Sequence, residues 1–150
     1  MIEPGAKAPD FTLPDHAGQE ISLSDFSGKR VLLAFYPLDF SPVCSDQLAL
    51  YKDIQSDLDD AGVTLIGISV DSAFAHRAFR DHLGIETTLL ADFEPKGAVA
   101  DAYGAYLGQA GHSNRSLVLV GPDGNVEWVH ETETPLDIPP PEAIVEAISA

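Results

Sequence analysis

Apolar residues form unbroken runs in some parts of the chain and helical spacings in others. Val31 to Tyr36 is an unbroken apolar run, and such a run predicts a strand that is buried on both faces. The apolar residues of the next segment recur at spacings of three and four, namely Leu48, Tyr51, Ile54 and Leu58. This spacing predicts a helix from Pro42 to about Asp60, ending near Gly62.

The rest of the chain continues to alternate between strand and helix patterns. Val63 to Val70 predicts a second strand, and Asp71 or Ser72 is placed to cap a helix that runs to Leu83 and ends at Gly84. Smaller elements are predicted as a hairpin with a helical turn in residues 10–26, a strand at 88–90, a helix at 97–103, a hairpin of strands at 116–120 and 125–129, and a final helix from the prolines at 139–141 to residue 148. This order predicts an α/β fold with a central mixed β-sheet flanked by helices. We expect a single domain, residues 1–150, because a chain of this length can bury a sufficient core.

The loop after the first long strand leads to the only cysteine of the chain, Cys44. Ser41 suits the N-cap and Pro42 the first helical position, so Cys44 lies in the first turn of the helix. Ligands of α/β sheets bind beyond the carboxyl ends of the strands. The unpaired N–H groups and the positive end of the helix dipole there favour a thiolate. Cys44 could instead be a small buried core residue, since cysteine is among the most buried residue types.

Composition limits the partners and the compartment. The formal charge is −16, from 8 basic and 24 acidic residues, which argues against a nucleic-acid partner because phosphate binding needs clustered Lys and Arg. Near the cysteine, Asp39 and Asp46 are expected to add to this negative field. A lone cysteine is typical of a reducing compartment. The sequence contains neither a signal-peptide pattern nor an apolar run of membrane-spanning length, so we expect a cytoplasmic protein without a membrane partner.

Metal and nucleotide chemistry find no support in the sequence. The histidines show no ligand spacing, and we expect them to be surface or capping residues: His16, His76, His82, His112 and His130. No glycine-rich phosphate loop follows a strand. We therefore expect neither a metal ion nor a cofactor.

The segment from Pro37 to Cys44 resembles the active-site signature of the peroxiredoxins, with Ser41 in place of the threonine of that signature. Residues 5–13, 91–104 and 114–120 resemble the N-terminal segment of that family, a later strand and helix, and the strand that carries its active-site arginine. The resemblance covers essentially the whole chain and is closest to the one-cysteine, alkyl hydroperoxide reductase E-like branch of the AhpC/TSA family. It implies a thioredoxin-like fold and a thiol-dependent peroxidase.

The resemblance also implies a role for each candidate site residue. The Cys44 thiolate would attack a peroxide oxygen and become a sulfenic acid. The guanidinium of Arg115 would stabilise the thiolate and the charge on the leaving oxygen. The hydroxyl of Ser41 and the backbone N–H groups of Val43 and Cys44 would orient the peroxide, and Pro37 would shield the pocket from solvent.

The absence of a second cysteine determines how the cycle would close. With no resolving thiol in the same chain, an external low-molecular-weight thiol or a redoxin would reduce the sulfenic acid. The family further implies a homodimer formed near the active-site loop. One alternative stays open, a catalytically silent thioredoxin-fold binding module in which Cys44 is only a packed core residue.

Overall fold

The chain alternates strands and helices in the order that its apolar pattern predicts. A computed structural model describes residues 1–150. The elements in chain order are β1 (Thr12–Pro14), β2 (Glu20–Ser22), β3 (Arg30–Phe35), α1 (Pro42–Leu50), α2 (Gln55–Asp60), β4 (Val63–Ser69), α3 (Ala73–Leu83), β5 (Thr88–Ala91), α4 (Ala98–Ala102), β6 (Tyr106–Leu107), β7 (His112–Ser113), β8 (Ser116–Val120), β9 (Val126–Glu131) and α5 (Pro141–Ser149). Short 3₁₀ helices occupy Leu23–Phe26 and Tyr51–Ile54.

The central sheet is mixed, with its five strands in the order β5-β4-β3-β8-β9. β3, β4 and β5 run parallel to one another, and β8 is antiparallel to both β3 and β9. This arrangement confirms the predicted α/β fold with a mixed sheet and flanking helices. Because the three parallel strands point the same way, their carboxyl ends meet at one end of the sheet, where the loop to α1 begins.

The two faces of the sheet are covered by different parts of the chain. The buried cluster on one face unites side chains of β3, α2, β4, β8 and α5, among them Leu32, Leu58, Leu65, Leu119 and Ile144. The cluster on the other face includes the N-terminal hairpin and α4, among them Leu13, Phe35, Ile68, Ala100 and Val118. β3 therefore contributes to both clusters, as its continuous apolar run predicts.

The ends of α3 follow the predicted signals. The Ser72 hydroxyl accepts a hydrogen bond from the Ala75 N–H at 3.2 Å, and Gly84 closes the helix with a φ of 64°. Glycine suits this position because a left-handed backbone is costly for other residues. None of the helices is both long and apolar enough to cross a lipid bilayer.

One local prediction was wrong, and one pair of strands was not predicted. The predicted helix from Pro42 to Asp60 is interrupted by the 3₁₀ helix at Tyr51–Ile54. Tyr51 and Ile54 are both buried, and their spacing of three residues aligns them on one side of a 3₁₀ helix. The second difference is the small antiparallel pair β6 and β7, whose two-residue strands are too short to show an apolar alternation.

Candidate active site

Cys44 lies in the first turn of α1, as predicted. The Ser41 hydroxyl accepts a hydrogen bond from the Cys44 N–H at 3.3 Å, and Pro42 occupies the first helical position. Proline suits this position because an N–H there would have no acceptor within the helix. Local sequence signals alone therefore fix where the cysteine enters the helix.

The thiol of Cys44 is buried and does not lie in an open crevice. Cys44 is 0% exposed and packs in an apolar cluster with Tyr36, Leu48, Phe79 and Leu89. Its sulfur makes no hydrogen bond, either to Ser41 or to Arg115. The enclosure keeps bulk water from the sulfur, and electrostatic interactions are stronger in such a site than in water.

Arg115 lies immediately before β8 and is 2% exposed. Its Nε donates to the carbonyl of Pro135 at 2.5 Å, and one Nη donates to Oε1 of Gln47 at 2.8 Å. Both acceptors are neutral, and no carboxylate approaches the guanidinium within 4.0 Å. Arg115 is thus a buried cation that has hydrogen-bond partners but no counter-charge.

Gln47 connects this arginine to the helix of the cysteine. Gln47 is 0% exposed and follows Cys44 by three residues, so the two side chains share a face of α1. Its amide nitrogen donates to the hydroxyl of Tyr51 at 3.2 Å, and that hydroxyl donates to the Pro139 carbonyl at 2.8 Å. Burial raises the pKa of Tyr51 to about 12, so its hydroxyl keeps its proton at neutral pH. These hydrogen bonds connect the guanidinium of Arg115, through Gln47, to the face of α1 that also holds Cys44.

The remaining predicted site residues surround the start of α1. Pro37 is buried, while Ser41 and Val43 are half-buried. The Cys44 N–H is engaged by the Ser41 hydroxyl, whereas the N–H of Val43 donates to no protein atom. An unpaired N–H in the first turn of a helix is an available donor for an anion or a polar ligand.

A second buried polar cluster lies beside the loop between β3 and α1, which we call the cysteine loop. Nδ1 of His76, on α3, lies 2.7 Å from Oδ2 of Asp39, and the Tyr36 hydroxyl donates to Oδ1 of Asp39 at 2.5 Å. Nε2 of His76 lies 2.9 Å from the carbonyl oxygen of Leu90. Burial, together with the nearby charge of Asp39, raises the pKa of Tyr36 well above 10.0. Its hydroxyl therefore remains a donor at neutral pH.

The sequence-based expectation for His76 was wrong. His76 is 0% exposed rather than a surface or capping residue, and Asp39 faces its imidazole rather than adding an isolated negative charge near Cys44. The available signal was the position of His76 three residues before Phe79, which puts both on the buried face of α3. A histidine on an apolar face needs polar partners, and those partners come from distant segments.

The loop between β3 and α1 contains one unusual backbone conformation. Phe40 has a φ of 67° and is the only residue other than glycine with a positive φ. A non-glycine residue in this region costs on the order of 1–3 kcal/mol, which the surrounding contacts must offset. The Phe40 ring packs against Phe79 and His82 of α3, at centroid distances of 5.1 and 5.6 Å. The strained residue Phe40, which precedes Cys44 by about one turn, is thus held against α3.

Other parts of the molecule offer less for chemistry. No group of three or more His, Cys, Asp or Glu side chains comes together in a way that could hold a metal ion. A surface cavity of about 240 Å³ lies at the opposite end of β3 and is lined by residues such as Lys7, Phe26 and Val120. The thiol at the start of α1 is therefore the candidate reactive group of this chain.

Known proteins share this architecture. A sequence model of the AhpC/TSA family matches residues 4–129. Alkyl hydroperoxide reductase E of Mycobacterium bovis is 36% identical over 129 residues, which cover 85% of this chain and 84% of that protein. A peroxiredoxin of Thermoplasma volcanium is 35% identical over 154 residues, which cover 97% of this chain and 73% of that protein.

A solved structure agrees over the full length of the chain. The reduced 2-Cys peroxiredoxin of Plasmodium vivax superposes with a TM-score of 0.88 at 28% sequence identity, covering 100% of this chain and 82% of that one. The sequence matches and the superposition include the helix start that carries Cys44. The chain therefore belongs to the AhpC/TSA family.

Proposed function

We propose that this protein is a thiol-dependent peroxidase that reduces hydrogen peroxide or organic hydroperoxides at Cys44. Its family, and its relatives named as peroxiredoxins and as alkyl hydroperoxide reductase E, support this reaction. The observation that carries the assignment of residues is the buried Arg115, which has no carboxylate partner and is bound to the helix of the only cysteine. No observation favours a silent binding module.

The uncompensated charge of Arg115 supports a role as the partner of a thiolate. Burying a cation costs several kcal/mol, and neutral acceptors offset only part of this cost. A cation about 4 Å from an anion contributes about 4 kcal/mol at an effective dielectric near 20, whereas a helix N-terminus contributes about 0.3–1 kcal/mol. At such a separation from the sulfur, Arg115 would be the larger of the two terms that favour the Cys44 thiolate.

The first half-reaction is a displacement on oxygen. The sulfur lone pair of the Cys44 thiolate forms an S–O bond to one peroxide oxygen, and the O–O bond breaks. The other oxygen leaves with the electron pair of that bond and takes up a proton, giving water or an alcohol. Cys44 becomes a sulfenic acid, and Arg115 stabilises the negative charge that develops on the leaving oxygen.

The residues at the start of α1 orient the substrate. The free N–H of Val43 and the hydroxyl of Ser41 supply hydrogen bonds to the peroxide, while the buried Pro37 limits the access of water. Because the Cys44 N–H already bonds to the Ser41 hydroxyl, Val43 is the stronger candidate of the two backbone donors.

The second half-reaction needs an external reductant. Cys44 is the only cysteine, so a low-molecular-weight thiol or a redoxin attacks the sulfenic acid, forms a mixed disulfide and releases water. A second external thiol then displaces Cys44 and leaves as the disulfide of the reductant. A lone cysteine with no disulfide partner also supports a reducing, cytoplasmic environment.

A homodimer is part of the proposal. Exposed apolar side chains follow the carboxyl ends of the three parallel strands and so share the cysteine end of the sheet: Leu38 at 40%, Phe40 at 49%, Phe74 at 86% and Phe93 at 54% exposure. Clustered apolar exposure of this kind is typical of an interaction surface. Sedimentation velocity should show a dimer that Phe74→Asp weakens. Leu50→Asp, at the end of α1 away from Cys44, should leave it unchanged, and a monomeric wild type would contradict the proposal.

Trapping of the intermediate tests the proposed activity. The reduced protein is mixed with one equivalent of hydrogen peroxide in the presence of dimedone, and the product is identified by mass spectrometry. We expect an adduct on Cys44 in the wild type, and neither adduct nor peroxide consumption in Cys44→Ser. A wild-type protein that consumes no peroxide and forms no adduct would contradict the proposal.

A further inference from the structure

The loop between β3 and α1 owes its conformation to side-chain contacts. Within residues 38–41 the backbone supplies one internal hydrogen bond, from the Ser41 N–H to the Leu38 carbonyl at 3.4 Å. Asp39 makes further hydrogen bonds that hold the loop. Its N–H donates to Oδ2 of Asp71 at 2.8 Å, and its carboxylate meets Tyr36 and His76. The position of the loop therefore depends largely on contacts of Asp39, together with the packing of the Phe40 ring.

Both ring nitrogens of His76 have a buried hydrogen-bond partner. Nε2 faces the carbonyl oxygen of Leu90 at 2.9 Å, and a carbonyl can only accept. Nδ1 faces Oδ2 of Asp39 at 2.7 Å, in a carboxylate that already accepts the Tyr36 hydroxyl. The side chains of His76 and Asp39 are 0% and 1% exposed. The contact is thus a buried, hydrogen-bonded imidazole–carboxyl pair, with one proton held between Nδ1 and Oδ2.

α3 holds the cysteine loop at two consecutive residues. Asp39 is bound by His76, and the next residue, Phe40, packs on Phe79 at a centroid distance of 5.1 Å. His76 and Phe79 are one turn apart on the buried face of α3. The strained backbone of Phe40 lies directly between the Asp39 contact and the Ser41 cap that begins the helix of Cys44. A displacement of Asp39 would therefore be passed to Cys44 through a short and otherwise weakly bonded segment.

We propose that His76 is a positioning residue for the peroxide reaction, acting through the hydrogen bond from its Nδ1 to Asp39. This inference rests on the proposed peroxidase function. The contact fixes Asp39, which holds Phe40 in its strained conformation and so sets the direction from which Cys44 and the free Val43 N–H meet the substrate. A misplacement of a reacting group by about 1 Å can lower a rate by about 100-fold.

Two substitutions of His76 separate the contact with Asp39 from the contact with Leu90. The amide nitrogen of asparagine can occupy the place of Nδ1, so His76→Asn retains a donor towards Asp39. The amide nitrogen of glutamine reaches the place of Nε2 instead, so His76→Gln retains the donor towards Leu90. The matched control is the same pair of substitutions at His130, on edge strand β9.

The experiment compares two reactions of the same sulfur. Peroxide consumption reports the positioned reaction, and alkylation by iodoacetamide reports only an accessible thiolate. We expect His76→Gln to lower the second-order rate constant with hydrogen peroxide by about 10- to 100-fold, and His76→Asn to recover most of that loss. Alkylation should not slow in either variant, and both His130 variants should match the wild type in both reactions.

Other results would overturn either the positioning role or the proposed function. Equal losses in His76→Asn and His76→Gln, or parallel losses of peroxide reactivity and alkylation, would overturn the positioning role. A wild type without peroxide reactivity would instead overturn the proposed function. Should His76→Gln fail to fold, nitrogen-15 NMR of the wild-type imidazole decides. Protons on both ring nitrogens at neutral pH support the inference, and an unprotonated Nδ1 overturns it.

Discussion

Two buried basic side chains flank the cysteine loop, and they are held in similar ways. Arg115 donates to the side chain of Gln47, which bonds to the hydroxyl of Tyr51. Nδ1 of His76 lies 2.7 Å from the side chain of Asp39, which accepts from the hydroxyl of Tyr36. Each cluster thus contains a basic side chain, a central partner and a tyrosine. The difference between them is that the acceptor beside Arg115 is a neutral amide, whereas the acceptor beside His76 is a carboxylate.

This difference separates two functions of buried charge. His76 faces the carboxyl group of Asp39, so the pair has no net charge and little field left for a substrate. The charge of Arg115 has no carboxylate within 4.0 Å, so its field remains available for a thiolate and a leaving oxygen. In the proposed mechanism, His76 positions the reacting group and Arg115 acts on it.

Removal of the uncompensated cation should have the largest effect. Arg115→Gln keeps a donor of similar shape but removes the charge, and we expect the second-order rate constant with hydrogen peroxide to fall by about 100- to 1000-fold. Peroxide consumption under pseudo-first-order conditions measures the change. Arg77→Gln, on the exposed side of α3, is the control and should have no effect. A loss below about threefold in Arg115→Gln would remove Arg115 from the mechanism.

The two tyrosines should make the fold sensitive to alkali. Tyr51 has a pKa of 10.0 when unfolded and about 12 when buried, so between these values the folded chain keeps a proton that the unfolded chain has lost. The stabilisation is present below pH 10 and disappears as the pH approaches 12, up to about 3 kcal/mol. Urea unfolding at about pH 9 and about pH 11 should show a smaller decline for Tyr51→Phe. Equal declines would contradict this linkage.

Substitution of Gln47 tests how the amide acceptor of Arg115 contributes to stability and to the rate with peroxide. Gln47→Leu leaves one Nη of Arg115 without its acceptor and removes the donor to the Tyr51 hydroxyl, which keeps its bond to Pro139. We expect the free energy of unfolding to fall by about 1–3 kcal/mol. The rate with peroxide should also fall, because the guanidinium loses its link to α1. The control is Gln55→Leu, at an exposed position of α2, for which a change within about 0.5 kcal/mol is expected. Similar effects at both positions would contradict a special role for Gln47.

The N-cap should give the smallest effect. Ser41→Ala removes the acceptor of the Cys44 N–H, and we expect a loss of about 1 kcal/mol in the free energy of unfolding. Ser41→Thr keeps the hydroxyl and should lose less. Urea unfolding curves of the three proteins measure the order, and an alanine variant as stable as the wild type would show that this cap does not stabilise α1.

The sequence predicted the parts of the site that depend on neighbouring residues. Ser41, Pro42 and Cys44 define the helix start within four positions, and Gly84 marks the end of α3 by its own backbone preference. The family resemblance pointed to Arg115. Its burial and its hydrogen bonds appear only in the structure.

The contacts that the sequence did not predict join residues far apart in the chain. His76 meets Asp39 across 37 positions, and Arg115 meets Gln47 across 68. Neither pair has a local periodicity, and a histidine or glutamine looks the same in a sequence whether it is solvated or buried. The interruption of the helix at Tyr51 has the same origin, because the buried hydroxyl of that residue bonds to Pro139, 88 positions away.

The thiolate content of the reduced protein tests most directly whether Arg115 activates Cys44. Ultraviolet absorbance of the thiolate at neutral pH is compared between the wild type and Arg115→Gln, with Cys44→Ser subtracted from each as the blank. The account predicts a clear thiolate signal in the wild type and its loss in Arg115→Gln. Equal thiolate signals in the two proteins would contradict it.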